Sequence, residues 1–241
     1  MGWNKEGVLL GQMIANAAGV ILPVLIKALP ITLYMMVASL IFGTILAVLL
    51  TVASLKNNRP AKIIASGYIT FFRSTPELVQ LYLIFFGMPQ ILTLLGIDIS
   101  NWSAVTFAII TFSLNVAAYL SEVMRSAYLS VEPGQQDAAF SIGMSNLQVL
   151  QRVVLPQAFA VALPNLGNTF IILLKDTSLA FTIGVIDIMG MAQIISARDF
   201  GVAQVEIYIV VSLIYWAMCV MLEQCSAYFE KIYKLGSEAL T

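Results

Sequence analysis

The 241-residue chain is 60% hydrophobic and only 10% charged, against roughly 25% charge in an ordinary soluble domain, so water is not its main solvent. Its net charge of −1, with no basic patch interleaved with aromatics, argues against a nucleic-acid partner. It has no histidine and no Gly-Lys pair, which removes the usual general base, the commonest metal ligand and any phosphate-cradling P-loop; no catalytic or metal-binding residue is assigned, and any ATP must be hydrolysed by another polypeptide.

Uncharged stretches run from Ala28 to Leu55, Leu78 to Ile97, Ile99 to Ser121 and Val153 to Leu174. A helix needs about 20 mainly apolar residues to cross the hydrocarbon layer, whereas barrel strands would alternate apolar and polar positions. The expected fold is an all-α polytopic membrane protein. The start lacks a basic leader with a cleavage site, so the first membrane helix is expected to direct insertion.

Residues 1–23 read as a helix lying in the interface. Leu9, Leu10, Met13, Ile14, Ala17, Val20 and Ile21 recur at helical spacing while Gln12 and Asn16 face elsewhere. The uncharged run from Gly7 to Ile26 also admits a sixth crossing. Pro23 and Pro30 mark the turn into the first span. Five spans, at about 24–54, 61–90, 101–128, 163–189 and 204–229, then make a transmembrane domain over 24–229, followed by a tail over 230–241.

The second span contains Pro76, which removes a backbone hydrogen bond and frees the carbonyl of Phe72. Thr75, Glu77 and Gln80 are candidate polar linings beside that kink, the alternative being a structural kink packed away from lipid. Glu77 either favours a substrate with a second ammonium group or pairs with Arg73 at i, i+4. On the third span, Asn115 is a further candidate lining, while Glu122 and Arg125, at i, i+3, read as a structural ion pair.

After the third span the chain turns polar. Pro133 and Gly134 interrupt the helix, Gln136 and Asp137 favour a new N-terminal turn, Gly143 allows a tight turn or close approach, and a second helix with Leu147, Leu150 and Val154 on one face runs to Pro156. Periodicity alone leaves open whether residues 131–156 are an ordinary connection or a projecting knob.

In the fourth span, Lys175 and Asp176 interrupt an apolar segment where an ionised side chain costs several kcal/mol. They are about 100° apart around a helix and do not simply neutralise each other. Asp176, Thr177 and Ser178 offer a carboxylate and hydroxyls to a substrate, the alternative being a pair satisfied by neighbouring helices. Cys219 and Cys225 in the fifth span are read as small apolar packing residues.

Basic residues fix the expected orientation. Lys56, Arg59 and Lys62 follow the first span, Arg125 and Arg152 flank the third connection, and Lys231 and Lys234 follow the fifth. The positive-inside bias places the C-terminus in the cytoplasm and, with five crossings, the N-terminus outside.

The series Asp137-Ala138-Ala139, three residues, Gly143, nine residues, then Val153-Val154-Leu155-Pro156 resembles the EAA motif of bacterial ABC-importer permeases, with aspartate for glutamate and valine for isoleucine. Phe72-Arg73-Ser74-Thr75-Pro76-Glu77-Leu78-Val79-Gln80, Pro156-Gln157-Ala158, Leu163-Pro164 and Lys175-Asp176-Thr177-Ser178-Leu179 are similar to segments of the polar amino-acid branch, which includes histidine, glutamine, arginine and cystine permeases. The resemblance implies a coupling helix, with Asp137, Ala138, Ala139, Gly143, Leu155 and Pro156 docking on an ATP-binding subunit. It implies a bacterial plasma-membrane permease for a polar amino acid, cystine or a basic amino acid among the options. Its partners would be an ATP-binding subunit dimer, a second permease in a homo- or heterodimer, and an extracellular or periplasmic substrate-binding protein. The chain would bind no cofactor itself, ATP and Mg residing in the partner. A secondary transporter would need its own coupling-ion site and usually an internal repeat, and a membrane enzyme would need convergent catalytic groups; neither pattern is present in the sequence.

Overall fold

The computed structural model describes residues 19–56, 58–198, 200 and 203–238. The chain runs through α1 (Gly19–Leu55), α2 (Arg59–Ser74), α3 (Glu77–Leu94), α4 (Ala104–Leu129), α5 (Pro133–Ser141), α6 (Asn146–Ile183), α7 (Ile188–Arg198) and α8 (Gln204–Glu238). Among the described residues there is no strand, as lipid demands, because a helix satisfies its backbone groups where water is absent. Among the described residues five helices are long and apolar enough to cross a membrane: α1, α3, α4, α6 and the Gln204–Tyr233 part of α8. The expected interfacial helix over 1–23 lies mostly outside the described residues, and its end from Gly19 to Pro23 is already part of α1. A turn at Lys27 and Ala28 bends α1 just before Pro30.

α4 is the axis of the fold. Phe107, Phe112, Asn115, Val116 and Leu120 are all buried along it, and α1, α2 and α6 pack around it. Ser39 donates its hydroxyl to the Ile109 carbonyl at 3.4 Å and Thr51 to the Ser121 carbonyl at 3.1 Å, both across a separation of 70 residues. A constant offset means that α1 and α4 run parallel, so α2 and α3 together form the return crossing between them. Gly43 makes this contact possible: a Cβ there would run into the Val116 side chain and lie 3.0 Å from the Ser113 carbonyl oxygen. Small residues are how membrane helices approach closely when lipid supplies no hydrophobic drive between them.

Two expected spans are corrected. The second is a broken helix and not a kinked one: Thr75 (φ −107°, ψ 144°) and Pro76 (φ −62°, ψ 134°) are both extended. Proline pushes the residue before it out of the helical region, and here it does so to completion. The fourth span starts at Asn146 and not near residue 163, because Pro156 does not end the helix. A π-helical turn over Leu150–Val154, with the Leu155 amide donating to the Leu150 carbonyl, opens the backbone ahead of the ring, and a new α segment (Leu155–Asp176) starts with Pro156 in its first turn. There a missing N–H costs little. The span ends in a 3-10 turn, Thr177–Ile183, closed by Gly184 at φ +87°.

On the far end of the fold from the α1–α2 connection, Asp98 accepts the Ser100 amide at 2.9 Å, which holds its carboxyl below the usual carboxylate range. Cys219 and Cys225 are both free thiols.

Candidate functional site

Two constructions stand out: a polar cluster where α3 and α6 meet, and a knob formed by α5 and the start of α6. The first begins with the break in the second span. Pro76 leaves the Phe72 carbonyl without its helical donor, and the Gln80 side chain takes that place, its amide nitrogen 2.9 Å from the Phe72 oxygen, 3.0 Å from the Thr75 carbonyl and 2.8 Å from the Thr75 hydroxyl. The Gln80 carbonyl oxygen accepts from the Asn115 amide at 2.9 Å. Gln80 is only 2% exposed and Asn115 is buried, while Thr75 is half-buried; these three sequence-derived lining candidates are joined in a bracket that splints the break and pins it to α4. The freed carbonyl foreseen from Pro76 is present, but a side chain of the same span occupies it. The Thr75 hydroxyl also donates to the Phe71 carbonyl at 2.9 Å.

Glu77 takes a different course. It does not pair with Arg73; among the described residues the salt bridge is that of Arg125 with Glu122, at 2.6 Å and two-pronged. Instead the Glu77 carboxyl, at the start of α3, lies against the carboxyl of Asp176, at the end of the α segment of α6. The two residues are 99 positions apart in the chain, and the break at Thr75–Pro76 is what brings Glu77 to the head of a helix facing α6. Two carboxylates held together repel unless something positive joins them. Lys175, next to Asp176, is exposed and forms no salt bridge among the described residues. Thr177 and Ser178 turn their hydroxyls back to helix carbonyls, Thr177 to Leu174 at 2.6 Å and Ser178 to Lys175 at 2.7 Å. Thr177 is fully buried and Ser178 half-buried, so of these two hydroxyls Ser178 keeps the more access.

Asp187, which by sequence counts only as one of the acids in the connection before the fifth span, is completely buried. It precedes α7 and accepts the Gly190 amide at 2.8 Å, and the Tyr215 hydroxyl donates to it at 3.4 Å. Tyr215 also reaches Thr177, so the chain Thr177, Tyr215, Asp187 ties the end of α6 to α8 and to the start of α7. The Ile188 amide donates to Thr32 of α1 at 3.4 Å. The legible signal was an acidic residue followed three positions later by glycine at a helix start.

The knob is built from small residues. α5 ends in a glycine cap: Gly143 (φ +84°) lets its amide reach the Phe140 carbonyl at 2.9 Å and lets the Met144 amide reach Ala139 at 3.2 Å. No neighbour lies within 4 Å of a Cβ placed there, so within this chain Gly143 serves the turn and not close packing. Ser145 then caps α6 in a reciprocal box with Gln148. Ala139, Val149, Val154 and Ala158 form a core beneath, with Ala127 and Val131 of the preceding segment. The expected apolar face shifts accordingly: Val149 and Val154 point inward, whereas Leu147 is exposed. Outward stand Asp137, Ala138, Phe140, Ile142, Leu155 and Pro156. A rigid knob with uncovered apolar side chains has the form of a docking piece.

Comparison with known proteins gives the family. Residues 39–233 match the family model described as binding-protein-dependent transport system inner membrane component. The chain is 42% identical over 209 residues to the L-cystine transport system permease protein TcyL of Bacillus subtilis (strain 168), covering 86% of each chain. It is 41% identical over 210 residues to the probable amino-acid permease protein YxeN of the same organism, covering 87% of this chain and 91% of that one. Among solved structures, an amino acid ABC transporter with histidines aligns at a TM-score of 0.77 and 32% identity, over 87% of this chain and 94% of that one.

Proposed function

Given that the chain belongs to the binding-protein-dependent transport system inner membrane component family, as an ABC-transporter permease of the amino-acid branch, we propose that it conducts a polar amino acid bearing a cationic group past the Glu77–Asp176 pair. The acid pair carries this reading. An ammonium group placed between two carboxylates relieves their repulsion and regains by charge-assisted hydrogen bonds what it loses in leaving water. A basic amino acid or cystine, each with a second group that can carry positive charge, fits two facing acids better than a neutral side chain does. Ser178 and the exposed Lys175 lie on the next positions for the substrate's other polar atoms, Lys175 for a carboxylate.

The remainder of the reading concerns assembly. α5 and the start of α6 dock on an ATP-binding subunit, two of which work beneath a homo- or heterodimer of permeases, while an extracellular or periplasmic binding protein delivers substrate. ATP and Mg belong to those partners and the chain itself is a transport component. The knob faces the cytoplasm with the C-terminus, and with five crossings the N-terminus is outside, in keeping with Lys56, Arg59 and Lys62 at the α1–α2 connection and Lys231 and Lys234 toward the end of α8. ATP binding closes the ATPase pair and swings the knobs as rigid bodies.

The test is uptake by the complex reconstituted in proteoliposomes with its binding protein and a panel of labelled amino acids. Asp176→Asn and Glu77→Gln should each lower uptake of a dicationic substrate at least tenfold while the complex still assembles. Unchanged uptake in both variants removes the acid pair from the path.

A further inference from the structure

At the end of the fold that carries the knob, α1, α2 and α4 enclose a cavity of about 410 Å³ that is open on one side. Lys62 and Arg73 of α2 and Arg125 of α4 line it with a single carboxylate, Glu122, and the hydroxyls of Ser66 and Thr70 stand between them. Arg125 spends two nitrogens on Glu122. Arg73 lies over the Tyr119 ring, 5.7 Å from its centroid, and neither Arg73 nor Lys62 enters a salt bridge among the described residues. The site therefore holds a surplus of two positive charges.

Lys62 and Arg73 are both exposed, and cations gathered around a single carboxylate repel without a further counter-charge; a fork of arginine nitrogens, an ammonium and two hydroxyls match the oxygens of a phosphate. The walls indicate where that phosphate comes from. Among the residues that line the cavity, Leu129 of α4 exposes its side chain and Leu55 of α1 is half-exposed, and α1 and α4 are both long and apolar enough to cross a membrane, so acyl chains have apolar surface beside a headgroup. No residue of α6 lines the cavity, which separates it from the Glu77–Asp176 pair. We propose that this cavity binds the phosphate of an acidic phospholipid, holding the α1–α2 connection and the foot of α4 above the knob.

The full chain, purified with its co-expressed partner subunits, is titrated with short-chain phosphatidylglycerol or phosphatidylcholine and the bound lipid is counted by native mass spectrometry; detergent solution makes the result independent of membrane orientation and of transport. Phosphatidylglycerol should bind in preference to phosphatidylcholine. The double variant Lys62→Gln, Arg73→Gln should weaken phosphatidylglycerol about thirtyfold, which is about 1 kcal/mol for each cation removed, and Lys62→Gln alone about fivefold, a milder change that serves if the double variant fails to assemble. Glu122→Gln should strengthen binding, a direction that loss of structure does not produce. Equal phosphatidylglycerol binding in wild type and Lys62→Gln, weaker binding in Glu122→Gln, or displacement of the lipid by millimolar inorganic phosphate overturns the proposal, the last by assigning the site to a soluble anion.

Discussion

Gln80 shows how one side chain can hold a transmembrane helix open. With the Phe72 and Thr75 carbonyls and the Asn115 amide all satisfied by it, Gln80→Leu strands the buried Asn115 amide, at roughly 1–3 kcal/mol, together with two half-buried carbonyls. The purified complex should melt several degrees lower, and Asn115→Ala, which loses a single bond, should do so by less. A Gln80→Leu melting temperature equal to wild type would mean that the break is held by other means. The ion pair of Glu122 with Arg125 is a contrasting case. Both side chains are about a third exposed, at 30% and 35%, so removing the pair should change stability by less than about 1 kcal/mol. Asp176 and Glu77 were both legible as acids in apolar surroundings. That they face each other was not, because the contact spans 99 residues and depends on the direction in which α3 leaves the break.

At the scale of elements, glycine and proline punctuation decides most outcomes. Gly143 sits at φ +84° with open space around its missing Cβ, so Gly143→Ala should cost about 1–2 kcal/mol of strain confined to the knob. Gly143→Glu adds bulk and charge on the docking face. The complex should still assemble, with substrate-stimulated ATPase activity uncoupled from uptake; normal transport by that variant in proteoliposomes would remove the turn from the coupling path. Pro76 and Pro156 share a residue type and have opposite consequences. Pro76 follows a residue driven fully extended and splits a span, while Pro156 is absorbed by a π turn and the helix continues. The difference lies in what each neighbourhood offers. Gln80 stands ready to satisfy the carbonyl that Pro76 frees, whereas the packed core of Ala139, Val149 and Val154 holds the Pro156 segment in line.

At the scale of the whole molecule, α4 carries the others, and the parallel contact of α1 with α4 requires an odd number of crossings between them, which α3 supplies. Gly43→Val should force these helices apart at Val116, costing about 1–3 kcal/mol, and should reduce the yield of folded complex measured by size-exclusion chromatography in detergent. Retention of wild-type yield and melting temperature would show that α1 can shift without cost. The Thr177–Tyr215–Asp187 chain gives a second link, joining the end of α6, where the acid pair lies, to α7 and α8.

The sequence by itself determined the solvent, the helical class, five crossings within the described residues and the place of the knob, because these depend on composition and on residue spacing within one segment, and hydropathy acts locally. It also marked Glu77 and Asp176 as out of place in an apolar run. Only the tertiary structure decided which polar side chains are consumed in holding the fold and which remain to face one another. Thr75, Gln80 and Asn115 were separate candidates along the chain and became one bracket; Glu77 and Asp176 were separate candidates and became one pair. Hydrogen bonds and charge interactions act over a few ångströms, and it is the packing of α3 and α6 around α4 that brings residues so distant in sequence within that reach.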